Sequence, residues 1–216
     1  MTAHRTTWLQ PACLMAALIA LAAPSAQAQT VLEEWATIKA PAPPAVKDVT
    51  IADGKTTALL IMDVNSNTCT VERRPRCASA MGRLQALLET ARAKGALVIY
   101  TLSGTTTAAD IIPAVAAKPG DPVLPSSGPD KFMGNDMEKI LKERGIKTVI
   151  TTGTGAHTSV LYTGAAASLR GYDVVVPIDV IASDQAYQEQ YTLLNLTTTA
   201  RVMTKVTLTT TQMLKF

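Results

Sequence analysis

The run Thr148-Val-Ile-Thr-Thr-Gly-Thr-Gly-Ala-His-Thr-Ser159 joins an apolar, β-branched stretch to a glycine-rich turn, and small residues continue it in helical style through Ser168. In a parallel α/β sheet, such a run sets a turn and a helix N-terminus at the carboxyl edge of a strand. Backbone N–H groups point outward there, and the helix dipole favours negative charge. A nucleophile at the head of that helix would be activated and an oxyanion stabilised. The residue standing there is Ser159.

Strands and helices alternate along the rest of the chain. Ala58 to Met62 is a continuous apolar run, as expected of a strand buried on both faces. Cys77 to Lys94 carries Leu84, Leu87 and Leu88 at helical spacing and stops at Gly95, and Ala96 to Tyr100 forms the next strand. Asp136 to Arg144 reads as a helix closed by Gly145, Val174 to Ile178 as a strand, Gln185 to Thr198 as a helix and Val206 to Thr209 as a last strand. Repeated β-α units with short connections predict an α/β domain over residues 57–216, a parallel sheet with helices on both faces. Residues 29–56, with Pro41-Ala-Pro-Pro44, predict an N-terminal arm: a short helix near Glu33 to Ile38, then an extended linker.

Residues 1–28 read as a secretory signal. His4 and Arg5 precede a short apolar core from Cys13 to Ala23, and Ala26-Gln-Ala28 is a small-x-small cleavage site. That core is too short to span a membrane, so the expected product, cut after Ala28, is periplasmic or secreted and not membrane-bound. Cleavage removes Cys13 and leaves Cys69 and Cys77, an even pair that predicts a disulfide in an exported chain, with free thiols as the alternative. The net charge of +3 is too mild to imply nucleic acid, and 4% aromatic residues leave little for base stacking.

Asp63, directly after the Ala58–Met62 strand, sits on the same sheet edge as the glycine-rich turn. Alone it reads equally well as a turn cap; beside that turn it reads as catalytic. His157 is the one histidine outside the signal, either a pocket-wall donor or proton shuttle, or a packed residue bonded to a carbonyl. No histidine, cysteine and carboxylate cluster has metal-ligand spacing, and the pattern calls for no cofactor. If the Cys69–Cys77 bridge forms, it holds Arg73, Arg74 and Arg76 in a stiff loop near the site. Arginine forks suit carboxylates, which points to an anionic small-molecule substrate; a solvated basic loop is the plain alternative.

Four segments together resemble the isochorismatase-like hydrolase superfamily, also called the cysteine hydrolases. They are Ala58-Leu-Leu-Ile-Met-Asp63, Lys94 through Thr101, Phe132 through Ile146, and Thr152 through Thr163 continuing to Gly171-Tyr-Asp-Val-Val-Val176. The resemblance implies a three-layer α/β/α sandwich around a mostly parallel sheet of about six strands, and possible homo-oligomers. Members that act on amides use an Asp, a Lys and a Cys, with backbone amides of the nucleophile turn holding the oxyanion. Asp63 matches the Asp, and Ser159 stands at the cysteine position. A non-proline cis peptide in this turn would join Thr154 to Gly155, so that Gly155 and Ser159 supply oxyanion N–H groups, with Ala156 and His157 beside them. Counting back from Phe132 places the family Lys near Ser126, where there is none; Lys131 is the nearest lysine and sits several residues late.

An unassisted serine hydroxyl is a poor nucleophile. True isochorismatases lack the cysteine and cleave a vinyl ether by proton donation from the Asp, and Ala156-His157 resembles the Ala-His pair of their turn. The resemblance therefore implies a hydrolase with Asp63 as acid/base and Ser159 with the turn amides at the reacting centre. A catalytically inactive small-molecule-binding protein on the same fold is the competing reading.

Overall fold

The computed structural model describes residues 30–125 and 128–216 of the 216-residue chain. The signal reading and Ser126 lie outside the described residues. Residues 30–41 and residues 42–216 are two separate units. In the first, helix α1 (Val31–Glu34) is closed by a capping box in which Thr30 and Glu33 exchange hydrogen bonds.

The second unit is built on strands β1 (Val49–Thr50), β2 (Thr57–Met62), β3 (Leu97–Thr101), β4 (Val123–Leu124), β5 (Thr148–Thr154), β6 (Asp173–Pro177), β7 (Ile181–Ala182), β8 (Val206–Thr209) and β9 (Leu214–Lys215). Helices α2 (Pro75–Ala93), α3 (Met137–Glu143), α4 (Leu161–Leu169) and α5 (Ala186–Thr198) lie between them. The main sheet has the order β4-β3-β2-β5-β6-β8, with β7 pairing β5, and every pairing is parallel. This is the α/β architecture expected from the alternation, with seven strands where about six were anticipated. β4, β7 and the small β1–β9 pair went unforeseen because two residues carry no readable period. Part of the expected linker is paired: Lys47 N–H donates to the Leu208 carbonyl at 2.9 Å, and β1 runs beside β9.

β2 shows why the sheet is covered on both sides. All six of its residues are buried. Ala58, Leu60 and Met62 face a core shared with Met137, Leu141, Leu161 and Leu196 of α3, α4 and α5, while Leu59 and Ile61 face Leu84, Leu87 and Leu88 of α2. The chain leaves β2 for β3 on one side and later returns to β5 on the other. The crevice beyond the carboxyl ends of β2 and β5 is therefore the topological switch point, where open α/β sheets bind ligands.

Gly153 lets β5 approach the end of β2 closely. Its φ is +107°, and a Cβ there would stand 2.1 Å from the Met62 carbonyl oxygen. Gly153→Ala should therefore cost at least about 2 kcal/mol, since both strain and a backbone clash oppose it. Gly82→Ala in α2 meets nothing within 4 Å and should stabilise by about 0.5–1 kcal/mol. Urea denaturation of the two variants checks the contrast.

Candidate active site

Asp63 leaves the end of β2 in the left-handed region, φ 57°, a conformation that costs a side-chain-bearing residue about 1–2 kcal/mol. Hydrogen bonds fix it there. Its N–H donates to the Thr101 carbonyl at 3.1 Å, and its own carbonyl accepts from Thr154 Oγ1 at 3.2 Å, Asn65 Nδ2 at 3.3 Å and Thr68 Oγ1. The carboxyl thereby points into the crevice and is 5% exposed. Thr101 Oγ1 donates to Oδ1 at 2.9 Å, and Ser159 Oγ donates to Oδ2 at 2.6 Å.

The second group at Oδ2 is a lysine, whereas the sequence left open whether Lys131 takes the place of the family lysine. Lys131 Nζ lies 2.9 Å from Asp63 Oδ2, and Lys131 is 2% exposed. Counting residues back from Phe132 failed because the chain folds tightly just before it. Asp130 Oδ1 accepts the Phe132 N–H at 2.9 Å, and the Lys131 N–H donates to Thr163 Oγ1 of α4 at 3.0 Å, which turns the lysine side chain inward. Sequence separation does not report which residue of such a turn faces in.

Beyond β5, the peptide Thr154–Gly155 is cis, as the resemblance implied. A wide helical turn, Ala156–Val160, follows and leads into α4; Ala156 and Ser159 are buried in it. A Cβ at Gly155 would come 3.0 Å from Thr158 Oγ1, so the turn is closed tightly over that glycine. His157 is half-buried. Its backbone N–H donates to Ser183 Oγ at 3.4 Å, and its Nδ1 lies 2.9 Å from the same oxygen. It is thus tied to a hydroxyl, where the sequence reading weighed a carbonyl partner for a packed histidine.

The arginine loop packs at the same edge. Cys69 and Cys77 form a disulfide, as the even pair predicted, and both are buried. Arg74 is also buried, its Nε 2.9 Å from Asp184 Oδ1. Arg76 grips Glu189 through both carboxylate oxygens, and Arg73 Nη1 donates to the Asn67 carbonyl at 3.0 Å. Arg74 is therefore engaged by the protein's own acid, not held open to a ligand. Its hydrogen bond holds the Asp184 carboxyl below the usual carboxylate range, with further lowering from the nearby charges of Arg74, Arg73 and His157. Thr101, Ser183, Asp184 and Glu189 escaped the sequence reading, since single polar residues at strand ends and helix starts carry no spacing signal. Among the described residues there is no cluster of His, Cys, Asp and Glu able to hold a metal ion, and no helix is long and apolar enough to cross a membrane.

Comparison with known proteins places this geometry. Residues 57–207 match the family model described as Isochorismatase domain. The secreted isochorismatase effector Isc1 of Verticillium dahliae is 28% identical over 108 residues, which cover 45% of this chain and 57% of that protein; the match thus spans little more than half of the relative. An isochorismatase family protein from Desulfovibrio vulgaris superposes with a TM-score of 0.65 at 21% identity, over 73% of this chain and 95% of that one. N-carbamoylsarcosine amidase from Thermoplasma acidophilum gives a TM-score of 0.60 at 23% identity, over 72% and 96%. A cysteine hydrolase from Pseudomonas syringae pv. phaseolicola gives 0.66 at 20%, over 78% and 94%. At such identities these structures share the fold.

The buried pair makes a direct prediction. Lys131→Met leaves the Asp63 carboxylate without its cation and should lower stability by about 3–5 kcal/mol, whereas Lys131→Met combined with Asp63→Leu should regain most of that loss. Equilibrium denaturation of the single and double variants measures both.

Proposed function

The chain belongs to the isochorismatase family, and from that premise we propose that it is an exported hydrolase of a small molecule in which Asp63 acts as acid/base. The observation that carries the reading is the convergence of Ser159 Oγ and Lys131 Nζ on Asp63 Oδ2, at 2.6 and 2.9 Å, under a turn that opens on the switch-point crevice. Export is supported by the leader-like first 28 residues, by the Cys69–Cys77 disulfide and by the secreted relative in Verticillium dahliae.

The bond class we favour is a vinyl ether. Thiol chemistry needs a sulfur that Ser159 does not offer, whereas vinyl-ether hydrolysis needs no nucleophilic side chain. Lys131 Nζ, 2.9 Å from Asp63 Oδ2, anchors the carboxyl. Acting as the acid, Asp63 delivers a proton from Oδ2 to the terminal vinyl carbon, and the C=C electron pair forms the new C–H bond. The positive charge left on the oxygen-bearing carbon develops beside the carboxylate just formed, a favourable placement. Water adds to that carbon, its proton returns to the Asp63–Lys131 pair, and the hemiketal collapses to an alcohol and a ketone. Ser159 Oγ holds Oδ2 in place through its hydrogen bond, while the Gly155 and Ser159 amides donate to the reacting oxygen. Retention of both the acid and the buried lysine weakens the competing reading of an inactive binding protein.

Turnover of the exported protein on a carboxylated vinyl ether, a carboxylic ester and an N-carbamoyl amino acid tests this. Vinyl-ether turnover should fall by about 10²–10⁴-fold in Asp63→Asn and by only about tenfold in Ser159→Ala, the effect of one hydrogen bond. Equal losses in the two variants, on ester or carbamoyl substrate, would instead make Ser159 a nucleophile. Thermal stabilisation by these compounds without turnover, unchanged in Asp63→Asn, would establish a binding protein.

A further inference from the structure

The turn that follows Asp63 is held from two sides. Its own closure comes first. The Asn65 carbonyl accepts the Thr68 N–H at 3.1 Å and the Cys69 N–H at 2.9 Å, and Asn65 Oδ1 accepts the Asn67 N–H at 3.0 Å. From within that closed turn, Asn65 Nδ2 and Thr68 Oγ1 both reach back to the Asp63 carbonyl. On one side the turn is laced to the segment after β3. Asn65 Nδ2 donates to Ser103 Oγ at 3.0 Å, the Ser66 N–H donates to the Asp110 carbonyl at 2.8 Å, and Asn65 forms a β-bridge with Ile111. On the other side the tie is covalent, because Cys69 is bonded to Cys77 in the first turn of α2.

The bridge reaches a helix that already lines β2. Cys69 and Cys77 are buried in the same core as Leu84, Leu87 and Leu88 of α2 and Leu59 and Ile61 of β2. A ring is thereby closed from β2 through Asp63, the turn and the two sulfurs into α2, and back to β2 through packed side chains. The intervening Val71, Glu72 and Arg73 are exposed, and Arg73 adds a hydrogen bond to the Asn67 carbonyl. A disulfide that constrains the unfolded chain stabilises more as its loop lengthens, and a separation of eight residues lies at the short end. Global stapling is thus a weak reason for this bridge. Its place beside the acid is a stronger one: Asp63 holds φ 57°, and Asn65 and Thr68, which support that conformation, belong to the turn that Cys69 closes.

We propose that Cys69 and Cys77 are positioning residues for Asp63: their bridge holds the Asn65–Cys69 turn to α2, and the turn holds the acid's backbone in the conformation that aims its carboxyl at Ser159 and Lys131. This role rests on Asp63 being the reacting acid. Closing the bridge passes two electrons to a disulfide oxidant. Two S–H bonds break, one S–S bond forms, and the oxidant departs as two thiols. Both cysteines are then buried, so exchange with an outside thiol requires the turn to open first. A copy folded among reducing thiols carries a loosely held acid, and full turnover arrives with oxidation, outside the reducing compartment.

Three forms separate a positioning bridge from a merely structural one: the bridged protein, the wild type unfolded, reduced and refolded in dithiothreitol, and Cys69→Ala combined with Cys77→Ala. Hydrogen exchange reads them without substrate. In the bridgeless forms the Thr68 and Cys69 amides should exchange about tenfold faster or more, while those of β2 and β5 change little. On the carboxylated vinyl ether, both bridgeless forms should lose about tenfold or more in kcat, with KM within about threefold. Oxidised glutathione should restore kcat in the reduced wild type and do nothing for the alanine pair. Thr68→Val keeps the bridge but removes a hydrogen bond to the Asp63 carbonyl; it should lower kcat about fivefold, and Thr68→Ser should recover it. Should the bridgeless forms not fold, the two Thr68 variants decide. Unchanged exchange at Thr68 and Cys69, a lowered Tm with kcat intact, or a Thr68→Val protein as fast as wild type would overturn the proposal. Faster exchange in the turn with no product from any form would instead overturn the hydrolase reading and leave the bridge's hold on the turn standing.

Discussion

Strand β2 is the member on which this fold turns, because it pairs in parallel with β3 and β5 at once, residue for residue, along nearly its whole length. Pairing on both sides ends at Met62, opposite Thr101 and Gly153. The three chains that leave the sheet at this level hold Asp63, the Thr101 hydroxyl that bonds it, and the turn that carries Ser159. A side chain at position 153 would strike the Met62 carbonyl. The close approach of backbones that builds the sheet is therefore also what brings acid and turn within hydrogen-bond reach, and no separate device is needed to assemble them.

Much of this was legible in the sequence, for physical reasons that also mark where legibility ends. The apolar runs at Ala58–Met62 and Val174–Val176 encode burial on both faces, and burial of long elements leaves a periodic trace. Asp63 drew notice because it directly follows such a run, and Ser159 because it heads the helix after the glycine-rich turn at a strand end. Whether Lys131 reaches Asp63 was not legible, because it comes from a turn, and a turn's inward residue depends on hydrogen bonds such as those to Asp130 and Thr163, not on counting. Ser183 and Glu189 were invisible because their significance lies in contacts with residues 26 and 113 positions away.

The stapled loop ties two of its arginines, Arg74 and Arg76, to acids of the protein. The disulfide joins Cys69, six residues beyond Asp63, to Cys77 in the first turn of α2. Asn65 and Thr68, just before that loop, bond the Asp63 carbonyl, while Arg74 and Arg76 within it engage Asp184 and Glu189. One short covalent link thus connects the hydrogen bonds that aim the acid to the ion pairs that hold the opposite wall. Such pairs contribute little stability where exposed, as Arg76 and Asp184 are. Their use is in direction: each fixes the angle between the loop and the start of α5.

The buried Asp63–Lys131 pair calls for a different account, since both groups are almost wholly removed from water. Desolvating two charges costs several kcal/mol each, and their attraction recovers that cost only when the remaining hydrogen-bonding capacity is also filled. Here it is partly filled, by Thr101 on one carboxylate oxygen and Ser159 on the other. A packed apolar pair of the same volume would hold β2 to the turn at least as firmly. Stability is thus a poor reason for a lysine and an aspartate at this depth, and position is a better one. They stand at the topological switch point and meet the turn at the Ser159 hydroxyl, which bonds the same carboxylate oxygen that Lys131 faces. A core that served only to fold has no need of a charged pair there, whereas the proposed acid/base role of Asp63 gives the pair a use.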